Sequence, residues 1–214
     1  MMEPGHPIEL SKSFYPNTPM FPGGLIMPPL KGTRTEKNLL ASFAGESQAR
    51  NRYTFFATVA EKEGFQAISG IFLETAENER MHAKLFFKHL EGGVVEITAK
   101  YPAGVIGTTL ENLKAAAAGE NEEHTLLYPE AARIAEEEGF RDVATTFKMV
   151  AKVEVEHEKR YNSLVELLSK GGYFNRDQKI RWKCIKCGYI HEGTSAPEIC
   201  PVCKHPKAWF EPLV

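Results

Sequence analysis

Glu79-Arg80-Met81-His82 and Glu154-Val155-Glu156-His157 are two copies of one tetrad, Glu-x-x-His, set 75 positions apart in a chain of 214 residues. Residues i and i+3 of an α-helix share a face, so each tetrad presents a carboxylate and an imidazole side by side. Each tetrad lies in a long helical pattern, and each has a partner pattern that carries a further glutamate, Glu46 or Glu120. One glutamate from each of two helices, with a Glu-x-x-His from each of two others, is the donor set of a dinuclear carboxylate centre in a helix bundle. The spacing predicts a mainly α fold, with four helices around a dinuclear metal site.

The rest of the chain supplies those helices. Thr33-Arg34-Thr35-Glu36 has the form of a capping box and opens helix one, which runs to Gly64. Helix two is expected over Phe65–Glu91, stopped by Gly92-Gly93. The connection Gly92–Gly107 contains Tyr101-Pro102 and is longer than an antiparallel pair needs, so it is expected to cross the bundle. Thr108-Thr109-Leu110-Glu111 is a second capping box, opening helix three, which ends at Gly139. Helix four follows over Phe140–Lys170 and ends at Gly171-Gly172. Residues 1–32 are rich in Pro and Gly, show no period, and are read as an irregular arm. The division expected is therefore an arm over 1–32, a bundle over 33–172 and a small domain over 173–214.

The two halves of the bundle repeat. Gly45-Glu46 leads to Ala60-Glu61-Lys62-Glu63-Gly64-Phe65, and Gly119-Glu120 leads to Ala135-Glu136-Glu137-Glu138-Gly139-Phe140. Glu46 and Glu120 are 74 apart, whereas Tyr53 and Tyr128 are 75 apart, so the second copy holds one extra residue between them. A one-residue insertion in a helix is commonly absorbed as a π-bulge, often at a functional site. Pro129 adds a second reason to expect an irregularity in helix three.

Iron and manganese in oxygen-rich sites need several carboxylates to balance charge, with imidazole as a further donor. The repeat nominates Glu46, Glu79, His82, Glu120, Glu154 and His157. Burying six ionisable groups without a metal would be strongly disfavoured. Glu61, Glu63, Glu136, Glu137 and Glu138 read as solvated helix faces. Glu123, three residues after Glu120, has no carboxylate counterpart in the first half, and spacing leaves it open between a seventh ligand and a surface residue. His124 is expected to be structural or exposed, and His6, His89, His191 and His205 to be ordinary histidines.

All four cysteines fall in Cys184-Ile185-Lys186-Cys187 and Cys200-Pro201-Val202-Cys203, with twelve residues between the pairs. That pattern predicts one tetrahedral four-thiolate metal site rather than a disulfide framework. Gly188 lets the backbone fold close to sulfur, and Trp182, Tyr189, Trp209 and Phe210 supply a small apolar wall. Spacing does not choose between zinc and iron, but a redox centre in the bundle would need an electron supply, which favours iron.

A formal charge of −2 and 43% hydrophobic residues describe a globular chain without a basic surface, so neither nucleic acid nor a membrane is an expected partner. No stretch is long and apolar enough to span a bilayer, and Pro19–Leu30 is too broken by Pro and Gly to be a secretory signal. A cytoplasmic location is expected by default.

With these residues in place, the chain from about Thr33 onward resembles the rubrerythrins, which join a ferritin-like di-iron bundle to a rubredoxin-like domain. The resemblance rests on Gly45-Glu46-Ser47-Gln48-Ala49-Arg50, both Glu-x-x-His tetrads, Gly119-Glu120-Asn121-Glu122-Glu123 and the paired Cys-x-x-Cys motifs. The arm is outside that pattern. The resemblance implies a peroxidase that reduces hydrogen peroxide to water in oxidative-stress defence, with electrons passing from a reductase to a four-cysteine iron and on to a di-iron centre. It implies that Glu79 and Glu154 bridge the irons, that Glu46 and Glu120 are terminal ligands, and that His157 binds one iron. It further implies that Glu123 and His82 exchange at the other iron on reduction, which makes Glu123 a ligand. Tyr53 and Tyr128, a turn or two beyond Glu46 and Glu120, are candidates to hydrogen-bond ligands or peroxide; a buried tyrosine with a satisfied hydroxyl is the plain alternative. Oxygen reduction, or ferroxidase and iron-storage activity, is the competing function. A small domain unable to reach its own bundle's centre implies a homodimer, head to tail, or a higher homo-oligomer.

Overall fold

Thr33 opens the first helix, α1 (Arg34–Lys62), its hydroxyl accepting from the Glu36 amide at 3.0 Å. The Glu36 carboxylate turns to the Gly32 amide instead of back to Thr33, so half of the expected capping box forms. The computed structural model describes residues 29–213, so most of the predicted arm, 1–28, lies outside the described residues. The described end of the arm enters the core, because Leu30 is buried against the cluster around Leu39 and Phe147.

α1 stops at Gly64, which takes a φ of +84° while the Phe65 amide bonds back to the Ala60 carbonyl at 2.8 Å. Only glycine adopts that backbone without strain, which is why this glycine closes the helix. α2 (Gln66–Phe87) ends four residues before the predicted Glu91. Its last turn tightens, with the His89 and Leu90 amides bonding three residues back to Phe86 and Phe87, and the His89 ring meets Thr146 at 2.9 Å. The paired glycines at 92 and 93 therefore lie in the crossover rather than at the helix end.

The crossover, 88–108, contains neither helix nor strand. Thr108 and Glu111 then form the full capping box expected for α3 (Thr109–Glu122). The insertion read from the repeat is a π-turn, Glu123–Leu127, which runs straight into α4 (Tyr128–Glu137) with Pro129 in its first turn. α3, the π-turn and α4 together make the third helix of the bundle. Gly139, at a φ of +88°, and a Phe140 amide bond to the Ala135 carbonyl repeat the first hairpin's closure before α5 (Arg141–Ser169).

α1 packs along α2, and α3 and α4 pack along α5. Two apolar clusters fill the bundle, one around Tyr53, Phe56, Phe72 and Tyr161, the other around Leu39, Phe86, Tyr128 and Phe147. The buried glutamates and histidines carry none of this apolar packing and sit among residues drawn from both clusters.

Beyond α5 three antiparallel strands, β1 (Asn175–Cys184), β2 (Ile190–Ser195) and β3 (Phe210–Leu213), form a sheet in the order β2-β1-β3. Its core is Trp182, Phe210, Ala196, Cys184 and Cys200, with Tyr189 and Trp209 packed against it, the apolar wall expected from sequence. Trp182 can be fully buried because its indole N–H donates to the Gly193 carbonyl at 2.9 Å. This sheet meets the bundle at the α1–α2 turn, where Phe65 stacks on Phe174 with ring centroids 5.6 Å apart. No helix among the described residues is long and apolar enough to cross a membrane.

Candidate metal centre

α1, α2, α3 and α5 each turn one or two ionisable side chains into the bundle. Glu46, Glu79, Glu120 and Glu154 are at most 1% exposed, and His82 and His157 are at most 6% exposed, which is rare for such residues unless they are paired or ligating. They form two overlapping quartets whose donor atoms all lie within 4.8 Å of one another: Glu46, Glu79, His82 and Glu154, and Glu79, Glu120, Glu154 and His157. Glu79 and Glu154 belong to both quartets, and the other four belong to one each.

The quartets have matching geometry. Nδ1 of His82 lies 2.9 Å from Glu79, 2.9 Å from Glu154 and 3.7 Å from Glu46. Nδ1 of His157 lies 2.8 Å from Glu154, 3.3 Å from Glu79 and 3.8 Å from Glu120. Each imidazole thus aims the same nitrogen at both shared carboxylates. On the far side of His157, Nε2 meets Asn78 Oδ1 at 3.2 Å, a contact that fixes the ring's orientation.

Electrostatics shows what this centre requires. Burial, then the charges of Glu123, Glu79 and Glu154, push the Glu46 carboxyl well above the usual carboxylate range. Burial also raises Glu120. Burial alone would lower both imidazoles, yet Glu154 and Glu79 hold His82 up at about 9, and Glu120, Glu154 and Glu79 hold His157 up at about 12. Oxygens of Glu46, Glu79, Glu120 and Glu154 and Nδ1 of His157 have no aligned hydrogen-bond partner. Four inward carboxylates with orphaned oxygens and two imidazoles fit a pair of oxygen-preferring cations, which would satisfy all of them.

Tyr53 and Tyr128 hydrogen-bond to glutamates of the quartets, but crosswise. Tyr53 donates to Glu120 at 2.5 Å and Tyr128 donates to Glu46 at 2.5 Å, each serving the glutamate of the opposite half. Burial and the adjacent carboxylates push both phenols well above their ordinary range, so both remain donors. Glu123 begins the π-turn, is half-buried, and lies outside both quartets. It is still close enough to feel them: burial, then the charges of Glu120, Glu154 and Glu79, raise its carboxyl well above the usual range. His124 pairs with Glu158 at 2.5 Å across α5, the structural role expected of it.

Sequence reasoning missed Asn78 and Tyr161. Neither follows the repeat: the residue 75 beyond Asn78 is Val153, and the residue 75 before Tyr161 is Phe86. Tyr161 is fully buried, edge-on to Tyr53 at 5.8 Å, and its hydroxyl faces Thr75 without a well-aligned hydrogen bond.

The cysteines close a second centre. Cys184 and Cys203 sulfurs are 3.7 Å apart, as are those of Cys187 and Cys200, and all four lie within 4.8 Å. Four thiolates about 2.3 Å from a shared ion stand about 3.8 Å apart at tetrahedral angles, whereas a disulfide requires about 2.0 Å. The Lys186 and Cys187 amides bond to Cys184, and the Val202 and Cys203 amides to Cys200. Burial opposes the Cys200 thiolate, but those amides hold its thiol down at about 7. Cys187 is the exposed residue of the four and Cys203 is partly exposed, so this pair forms the outer rim of the site.

Comparison with known proteins agrees with both centres. Residues 37–165 match the family model for rubrerythrin, and residues 182–211 match the rubrerythrin rubredoxin-like domain. The chain is 59% identical to a rubrerythrin of Porphyromonas gingivalis, with 86% of this chain and 92% of that protein covered. It is 56% identical to a rubrerythrin of Nitratidesulfovibrio vulgaris, over 87% of this chain and 98% of that one. The solved structure of nigerythrin in a partially reduced state superposes with a TM-score of 0.57 at 29% identity, covering 92% of this chain and 98% of that one. The chain belongs to the rubrerythrin family, with its di-iron site in the glutamate and histidine cluster of a ferritin-like bundle and a rubredoxin-like site in its four cysteines.

Proposed function

We propose that this member of an oxidoreductase family is a peroxidase that reduces hydrogen peroxide to two waters, in defence against oxidative stress in the cytoplasm. The observation that carries the reading is the joining of two centres in one chain: a buried carboxylate and histidine cluster, and a four-thiolate site with an exposed rim at Cys187. A protein that only stores iron has no need of a built-in one-electron carrier. When bound, the two irons supply one electron each, which matches the two electrons and two protons that convert hydrogen peroxide to two waters; oxygen would require four.

The chain's own residues divide the work. Glu79 and Glu154, common to both quartets, would be shared by the two irons, while Glu46 and His82 would serve one and Glu120 and His157 the other. Tyr53 and Tyr128 hold Glu120 and Glu46 in place and keep protons at their hydroxyls beside the centre. His82 lies in its quartet while Glu123 lies outside, an arrangement consistent with the two exchanging at one position. The apolar clusters on either side exclude water from the buried carboxylates.

Electrons from a reductase would enter at Cys187. The small sheet rests at Phe65, fourteen positions before Glu79 on the same helix, or about 21 Å at 1.5 Å per residue. That span favours delivery from the small domain of a second copy, in a head-to-tail homodimer or higher assembly. The test is anaerobic titration of fully reduced protein with hydrogen peroxide. Oxidation of both centres at two electrons per peroxide, faster than with oxygen, is expected; reduced protein that peroxide leaves unchanged removes the reading.

A further inference from the structure

The crossover passes over the π-turn side of the centre, where Glu123 has no carboxylate counterpart in the first half. A cleft of about 470 Å³ lies between it and the bundle, lined by Glu123, Tyr128, Gln48 and Gly45 on the helices and by Ala99 and Tyr101 on the crossover. Tyr128, which forms part of the cleft wall, donates to Glu46, so only this ring separates the cleft from a carboxylate of the cluster. A second cavity of about 520 Å³ lies under Pro102, Val105 and Ile106, so close packing does not hold this stretch down. Val105 and Ile106 are largely exposed.

One contact does hold it. The Tyr101 hydroxyl donates to the Ala41 carbonyl of α1 at 2.8 Å, and among the described residues it is the one hydrogen bond tying 91–106 to the helices. The Tyr101 ring lies against α1 at Gly45, where an added Cβ would stand 3.6 Å from its Cε1. Gly45 is the residue before Glu46, so the ring covers the cleft beside the ligand.

We infer that Tyr101 is a specificity-determining residue that latches the crossover over the Glu123 cleft, admitting hydrogen peroxide and excluding hydroperoxides that carry a bulky organic group. This rests on the peroxidase reading. Hydrogen peroxide is barely larger than water and passes a ring-narrowed opening, whereas an aryl hydroperoxide must displace the ring or the strand behind it. The O–O bond breaks in both cases and each takes two electrons and two protons, giving two waters from hydrogen peroxide and one alcohol plus one water from the organic hydroperoxide, so selection is by access alone.

The experiment compares wild type, Tyr101→Phe and Tyr101→Ala, all metal-loaded and reduced, in oxidation by hydrogen peroxide and by cumene hydroperoxide. Tyr101→Ala is expected to raise the rate with cumene hydroperoxide relative to that with hydrogen peroxide by about tenfold or more. Tyr101→Phe keeps the ring but loses the bond, and is expected to speed amide exchange over 91–106. An unchanged ratio in a folded Tyr101→Ala protein overturns the inference; Tyr101→Leu replaces that variant if it does not fold. If wild type fails to react with hydrogen peroxide, the peroxidase reading falls, and the latch is then judged on amide exchange, where no change in Tyr101→Phe overturns it.

Discussion

The α1–α2 half and the α3–α5 half of the bundle are built on one plan and, besides Asn78, depart from it near the centre at two places. Glu46 and Glu120, Tyr53 and Tyr128, Phe72 and Phe147, Glu79 and Glu154, and His82 and His157 are equivalent pairs. The glycine closures at 64 and 139 are equivalent as well. The first departure is the π-turn, where Glu123 stands at the position that buried Ala49 holds in the first half. The second is Tyr161, where the first half has Phe86. A symmetric set of ligands needs only the repeat, and an asymmetric reaction needs something outside it. The inserted residue supplies that by adding a carboxylate on one side while leaving Glu120 and Tyr128 in place.

The widest break in this comparison is loss of a residue that both halves share. Glu79→Ala removes a donor from both quartets, and bound iron is expected to fall from about three to about one per chain, with peroxide turnover lost. Glu46→Ala should remove donors from one quartet only and leave intermediate iron content; equal losses in the two variants would contradict the assignment of Glu79 as a bridge. Glu123→Ala makes the π-turn resemble Ala49 of the other half. Iron content should stay near wild type while oxidation of the reduced protein by peroxide slows by about ten- to a hundredfold, and an unchanged rate would leave the π-turn without a role in turnover.

Smaller effects sharpen the equivalence of the halves. Tyr53→Phe and Tyr128→Phe each delete one hydrogen bond to a buried carboxylate, and urea titration should show similar losses of about 1.5–3 kcal/mol. Clearly unequal losses would mean that the two sides differ beyond the π-turn. The smallest change is Tyr161→Phe, which gives the second half the ring of the first. Its hydroxyl is at best poorly aligned with Thr75, so stability should change by no more than about 1 kcal/mol, and a larger loss would show that the contact with Thr75 is a full hydrogen bond.

How much of this was legible depended on the kind of information each feature needs. The six residues that cluster were readable because i, i+3 spacing and a repeat at 74 to 75 positions are properties of the chain itself. The π-turn was readable for the same reason, since one extra residue in a continuous helix must be accommodated locally. The four-cysteine site followed from spacing, and its 3.7 Å sulfur separations complete the tetrahedron. The end of α2 was misread because Gly92-Gly93 looked like a stop, whereas the last turn tightens at His89 and the His89 ring binds Thr146, fifty-seven positions away. The crossover's single latch, from Tyr101 to Ala41, is likewise a contact between distant parts of the chain.

The sequence by itself determined which residues face the centre and which half carries the extra one. Only the tertiary structure decided which tyrosine supports which glutamate. Tyr53 is seven residues beyond Glu46, on the same face but about 10.5 Å along the helix, too far for its hydroxyl to reach that carboxylate. The neighbouring hairpin brings Glu120 to Tyr53 and Glu46 to Tyr128 instead. Local periodicity sets the direction of a side chain, and the packing of helices against one another sets what it meets.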